Sequence, residues 1–169
     1  RLACGLENIK EALEACDYLT DYGYQICINI MQGKSLDSDS ILEISNLIQD
    51  RNISCVYIAD STGGMDSEEY NNKLKLLSNS INSEIGIHAH NNMGRALENT
   101  IRSIDIGCKW LDGTLLGMGR GPGNTDIEEL IISFNHKKQN LVNLLPLINH
   151  TEKWFLPLTR KYKWGPNRY

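Results

Sequence analysis

The sequence predicts an α/β fold built on a parallel sheet, and three observations carry that expectation. Short β-like runs alternate with amphipathic helical stretches from Leu2 to Phe134. Helix start and stop residues fall at the joints between them. The segments richest in glycine and in chemically active side chains sit directly after the β-like runs.

The β-like runs are Leu2–Gly5, Tyr24–Ile30, Ile53–Ala59, Ile85–His90 and Trp110–Leu115. Between them apolar residues recur at three- and four-residue spacing, the period of one helix face. Leu6, Ile9, Leu13, Cys16 and Leu19 form the first stripe, and Ile41, Ile44, Leu47 and Ile48 the second. Leu74 and Leu77 follow, then Leu97, Ile101 and Ile104. Each stripe is expected to dock on the sheet while Glu, Lys, Asp and Asn face water. Gly23 and Gly107 follow helical runs, where a left-handed C-terminal residue belongs. Thr125-Asp126-Ile127-Glu128 reads as a capping box, with Thr125 as N-cap, opening a helix through Ile131, Ile132 and Phe134. Five successive βα units require helical crossovers and therefore parallel strands.

After about His136 the rhythm changes, which divides the chain into residues 1–136 and a helical tail or linker at 137–169. Leu141, Leu144, Leu145, Leu147 and Ile148 make an apolar patch interrupted by Pro146. Trp154–Tyr169 gathers Arg160, Lys161, Lys163 and Arg168 with aromatic residues. Such a mixture is also the chemistry of a nucleic-acid or membrane contact. Its shortness favours a linker or docking segment toward a missing C-terminal region. The opening Arg1-Leu2-Ala3-Cys4-Gly5 has neither an initiator Met nor a signal pattern, and reads as a chain entered in mid-fold.

Composition narrows the class. At 169 residues the chain is long enough for one domain with a real core. Its 41% apolar and 22% charged residues are ordinary for a globular protein, and no apolar run reaches bilayer-spanning length. A formal charge of −4 argues against a dedicated nucleic-acid binder. The 5 cysteines are odd in number and form no Cys-x-x-Cys. Buried free thiols in a reducing cytoplasm are expected, not a disulfide framework or a structural zinc site.

Three segments carry chemistry. In Gly86-Ile87-His88-Ala89-His90-Asn91-Asn92, the two histidines stand two apart on a strand and so share a face. A pair of imidazoles suits Mn²⁺, Zn²⁺, Co²⁺ or Fe²⁺, although a His-x-His alone is also an ordinary strand end. Leu116-Gly117-Met118-Gly119-Arg120-Gly121-Pro122-Gly123-Asn124 leads into the capped helix. Its glycines let backbone approach a ligand, and a helix N-terminus favours anions. Dinucleotide spacing fails, since the sixth position is Pro122 from Gly117 and Asn124 from Gly119, and no Gly-Lys-Ser/Thr follows. A merely flexible turn is the bland alternative. Ala59-Asp60-Ser61-Thr62-Gly63-Gly64-Met65 places Asp60 and Ser61 at the same rim, or serves only as a helix-entry turn. Asp112, beside Gly113, reads as a buried structural carboxylate.

Taken in order, Ala59–Met65, His88-Ala89-His90-Asn91-Asn92, Leu111-Asp112-Gly113-Thr114-Leu115-Leu116-Gly117-Met118-Gly119 and Gly123-Asn124 resemble the DRE-TIM metallolyases. The likeness is strongest to the 4-hydroxy-2-oxovalerate aldolase branch. It is more distant to hydroxymethylglutaryl-CoA lyases and 2-isopropylmalate synthases. The resemblance covers about residues 1–134 and implies a (β/α)₈ TIM barrel of which strands 4–8 are present. It implies that His88 and His90 bind a divalent metal, Mn²⁺ before Mg²⁺, Co²⁺ or Zn²⁺, with Asn124 as a further ligand. Asp60, Ser61, Gly117 and Gly119 are then expected to line the substrate site. The family's first-strand Asp ligand and Arg lie outside this chain, so no catalytic base is assigned.

The implied activity is cleavage of a carbon–carbon bond in a 4-hydroxy-2-oxo acid or related hydroxyacyl compound through a metal-stabilised enolate. A Claisen-type acyltransferase sharing the metal site and a non-catalytic interaction module are the competing classes. A small 2-oxo acid is the expected partner, with no nucleic acid or membrane. Cytoplasmic location and homo-oligomerisation, or association with a missing domain, complete the expectation.

Overall fold

The computed structural model describes residues 1–139 and 142–165. Five strands, β1 (Leu2–Cys4), β2 (Cys27–Ile30), β3 (Cys55–Asp60), β4 (Glu84–Ala89) and β5 (Trp110–Leu111), lie side by side in chain order, every pairing parallel. They alternate with helices α1 (Ile9–Asp21), α2 (Ser38–Ile48), α3 (Ser67–Ser80), α4 (Ala96–Ser103) and α5 (Ile127–Lys138). The order never reverses. A doubly wound sheet reverses at its switch point, whereas consecutive winding is the rule of a (β/α)₈ barrel. The chain is thus five consecutive βα units of such a barrel, with β1 and β5 as the edges of its sheet.

One face of the sheet makes the core. Ile28, Ile30, Val56, Ile58, Ile85 and Ile87 pack against Ile9, Leu13, Ile41, Ile44, Ile48, Leu74 and Leu77 in one buried cluster. Each such side chain contributes about 1.5–3 kcal/mol by leaving water. The opposite face follows from the register. Asn29 pairs with Tyr57 and Tyr57 with Gly86, while Ala59 pairs with His88. Gly86 is required there, because a Cβ would lie 2.5 Å from the Tyr57 ring. All six residues of β3 are buried, as a strand covered on both sides must be.

The helix ends partly follow the expected signals. Gly23 and Gly107 adopt left-handed φ values of +83° and +92° after their helices. No capping box forms at Thr125, and the N-cap lies one residue on. Asp126 is the N-cap of α5, its carboxylate accepting from Glu129 N at 3.0 Å. Thr125 is buried and pairs with Thr100 Oγ1 at 3.0 Å. Glu128 instead accepts from Leu116 N at 3.0 Å, so it braces the Gly-rich loop.

Other expectations change more. β2 and β5 are much shorter than their β-like runs, starting at Cys27 and ending at Leu111. After Leu111 the chain bonds to the returning loop: Thr114 N donates to Thr125 O at 2.9 Å, and Ile127 N to Thr114 O at 3.0 Å. In α4 and the 3-10 turn after it, the apolar stripe of Leu97, Ile101 and Ile104 is only half-buried. Ala96, Asn99, Thr100 and Ser103 face inward. Their polar groups bind one another and neighbouring loops, as with Asn99 Nδ2 on Met65 O at 3.0 Å. In α5 Leu130 is the buried residue and Ile132 is exposed.

The tail folds as α6 (Leu145–His150), a π-helical turn at Thr151–Phe155, and α7 (Leu156–Tyr162). Pro146 starts α6 rather than interrupting a helix, because proline's missing N–H costs nothing in a first turn. The tail returns to the barrel segment. Thr151 Oγ1 donates to Glu128 Oε1 at 2.7 Å, and Trp164 Nε1 donates to Leu116 O at 3.1 Å. Leu141 of the apolar patch, and Asn167, Arg168 and Tyr169 of the basic aromatic end, lie outside the described residues. Among the described residues no helix is long and apolar enough to cross a membrane.

Candidate active site

The site is assembled at the C-terminal ends of β3, β4 and β5, where a parallel barrel exposes its loops. The Gly-rich loop after β5 doubles back on β4. Asn91 N donates to Gly123 O at 2.8 Å, and Thr125 N to Ala89 O at 3.2 Å. Asn124 thereby pairs with His90 in an antiparallel bridge, beside the second histidine. The return is tight. Asn124 N donates to Gly117 O at 3.0 Å, and a Cβ on Gly123 would come within 2.0 Å of that same oxygen.

His88 and His90 present their rings edge to face, with centroids 5.3 Å apart. His88 Nδ1 lies 2.9 Å from Asp112 Oδ2, which also accepts from Arg1 Nη1. Burial pushes the Asp112 carboxyl up, but the bonds from His88 and Arg1 outweigh it and hold the group below its ordinary value. Asp112 is therefore a carboxylate that fixes one imidazole. Arg1 carries this chain across the sheet, since it precedes β1 while Asp112 follows β5. On the way its guanidinium lies 4.6 Å from the centre of the Tyr57 ring.

His90 is held differently. Its Nδ1 is buried with no hydrogen-bond partner, as is Asn124 Oδ1. Burial, then the neighbouring His88 and Arg120, push the His90 imidazole below its ordinary value, which favours the neutral ring. Asn124 Nδ2 donates to Met118 O at 3.1 Å, so only its oxygen is left over. The Asn124 backbone is not in the left-handed region, since its φ is not positive. A lone-pair nitrogen and an amide oxygen, both orphaned in a protein interior, each carry a desolvation cost that a cation would relieve. The donors present therefore fit a divalent cation of the imidazole-binding kind. Among the described residues no group of three or more His, Cys, Asp or Glu side chains could hold a metal ion.

The remaining sequence candidates form the rim. Asp60 is buried, and its oxygens accept from Thr62 Oγ1 at 3.2 Å, Gly64 N at 3.1 Å and Met65 N at 2.8 Å. These bonds engage it in shaping the 61–65 turn. Ser61 Oγ accepts from Gln32 N at 2.9 Å, and Ser61 O from Arg120 Nη2 at 2.6 Å. Gly117 is buried with φ +59°, and a Cβ on Gly119 would lie 2.8 Å from Asn124 Nδ2. Both glycines thus give Asn124 its room.

Sequence reasoning passed over Arg1, Tyr57 and Tyr70. The Tyr70 hydroxyl lies 2.6 Å from Ile58 O and 2.9 Å from His88 O, and accepts from Asp60 N at 3.2 Å. It locks β3 to β4 directly beneath the site. Its place four residues before Leu74 in that helix stripe was the available signal.

Comparison with known proteins agrees with this fold. The family described as HMGL-like matches residues 4–153, running past residue 136 into the tail. The chain is similar to 4-hydroxy-2-oxovalerate aldolase 2 of Nocardia farcinica, at 30% identity over 159 residues, 94% of this chain and 46% of that protein. It is similar to the 4-hydroxy-2-oxovalerate aldolase of Pelotomaculum thermopropionicum at 34% over 131 residues, 78% of this chain and 39% of that protein. The N-terminal domain of a protein assigned as an aldolase from Bacteroides vulgatus superposes with a TM-score of 0.88 at 29% identity. That match covers 98% of this chain and 55% of the other. The Bacillus subtilis HMG-CoA lyase gives 0.76 at 18% identity, covering 96% and 57%, and shares the fold. The chain spans about half the length of the curated relatives it matches. With the family matched over most of its residues, this chain belongs to the HMGL-like family.

Proposed function

We propose that the protein carrying this chain is a divalent-metal-dependent aldolase that cleaves a carbon–carbon bond in a 4-hydroxy-2-oxo acid, releasing pyruvate. The observation that carries the reading is the convergence of His88, His90 and Asn124 at one strand end, with His90 Nδ1 and Asn124 Oδ1 buried and unpartnered. The aldolases named above support the substrate class.

Under this reading His88, His90 and Asn124 hold the cation, with Mn²⁺ first and Mg²⁺, Co²⁺ or Zn²⁺ as alternatives. When bound, it supplies Lewis-acid stabilisation of the enolate charge left by bond cleavage. Asp112 keeps the His88 proton on Nδ1, which leaves Nε2 as the lone-pair nitrogen. The neutral His90 keeps its own lone pair available. The Asp60 turn and Ser61 form one wall of the substrate site, and the Gly117–Gly119 backbone the other. Residues 1–136 carry these groups, and 137–169 link them to a further region of a cytoplasmic homo-oligomer.

The test is metal analysis and pyruvate release by the complete protein, before and after chelation. Turnover that survives full chelation overturns the reading. Turnover that needs acetyl-CoA and releases free coenzyme A would replace it with a Claisen-type acyl transfer.

A further inference from the structure

Arg120 projects from the Gly-rich loop between Gly119 and Gly121, at the mouth shared by the loops after β3 and β5. Its Nη2 donates to the Ser61 carbonyl at 2.6 Å, bridging the two loops. Arg1, Arg51 and Arg102 each pair with a carboxylate, on Asp112, Asp17 and Glu98. Among the described residues no carboxylate pairs with Arg120. A guanidinium carries five N–H donors in a planar fork, and the Ser61 carbonyl accounts for one of them. What remains is an exposed cation at the mouth between the loops after β3 and β5, shaped for bidentate contact with a carboxylate.

We propose that Arg120 is a specificity-determining residue that binds the substrate carboxylate and selects 2-oxo acids over uncharged ketones of the same shape. The inference rests on the aldolase reading and deepens it. The Ser61 bond holds the side chain over the mouth before ligand arrives, reducing the ordering cost of binding.

The experiment compares pyruvate with pyruvamide, its neutral isostere, by calorimetric titration of the complete protein in its metal-loaded form. Variants Arg120→Gln and Arg120→Lys are measured beside the unsubstituted protein. Arg120→Gln is expected to weaken pyruvate about tenfold or more, the effect of losing a charge-assisted bond, and pyruvamide less than about twofold. Arg120→Lys keeps the charge without the fork and is expected to fall between. Equal weakening of both probes means that Arg120 only ties the loops, and overturns the proposal, as does an unchanged pyruvate affinity. If the unsubstituted protein itself neither binds nor releases pyruvate, the aldolase reading fails and takes this inference with it. Pyruvate binding at the unsubstituted affinity in Arg120→Gln sinks the inference alone. Thermal melts of both variants establish that they fold, and Arg120→Lys carries the test if Arg120→Gln does not.

Discussion

His88 Nδ1 and Asp112 Oδ2 lie 2.9 Å apart, joining the end of β4 to the segment that follows β5. A carboxylate on one ring nitrogen fixes the tautomer and raises the basicity of the other. Replacing Asp112 with Asn keeps the shape but removes the charge, and Arg1 then loses its ion-pair partner. Mn²⁺ affinity of the complete protein, measured by calorimetric titration, is expected to fall about 10–100-fold in Asp112→Asn. An affinity equal to that of the unsubstituted protein would show that the contact does not serve a metal ligand.

Asn124 tests the ligand set from the other side. Its oxygen is buried without a partner, and its nitrogen ties the loop to Met118 O at 3.1 Å. Alanine removes both groups, whereas aspartate keeps an oxygen and adds charge. Asn124→Ala is expected to weaken metal binding, and Asn124→Asp to retain or strengthen it. If both bind metal equally well, Asn124 contributes only its loop bond.

The fold was legible because parallel βα units leave a local imprint: helix stripes with period 3.6 and buried strands as apolar runs. Where burial is polar, that imprint misleads. Thr100, Ser103 and Asn99 of α4 face inward because hydrogen bonds satisfy them, while the apolar Leu97 and Ile101 stay half-exposed. His88 and His90 stand two apart in sequence, so alternation along a strand was enough to find them. Arg1 and Asp112 are separated by 111 positions, and only the closing curvature of the sheet brings them together. Thr125 was misplaced as N-cap because Asp126, one residue on, is an equally good cap, and only burial distinguishes the two.

Gly123 and Gly94 separate backbone strain from collision. Both have positive φ, +94° and +68°. A Cβ on Gly94 meets nothing within 4 Å, whereas on Gly123 it would lie 2.0 Å from Gly117 O. Gly94→Ala is expected to cost about 1–2 kcal/mol, the price of left-handed backbone. Gly123→Ala is expected to cost more, about 3 kcal/mol or above, and to disturb Asn124 with it. Urea unfolding of the two variants measures the difference, and equal losses would mean that the loop relaxes without strain.

Asp66 gives the expected response to acid. As N-cap of α3 it accepts from Glu69 N at 2.8 Å. That bond is the main reason its carboxyl sits below the ordinary value. A group whose pKa is lower folded than unfolded stabilises the fold above its unfolded value, and the gain disappears as pH falls through the lower folded one. The unsubstituted protein is therefore expected to have a higher urea midpoint than Asp66→Ala at neutral pH. The part of that gap owed to the charge should close on acidification to about pH 2.5. Asp66→Asn keeps an oxygen that can accept the cap bond but cannot titrate, so its advantage over Asp66→Ala should persist in acid. A gap between the unsubstituted protein and Asp66→Ala that is the same at both pH values would show that the cap acts through geometry alone, with no contribution from the carboxylate charge at the start of α3.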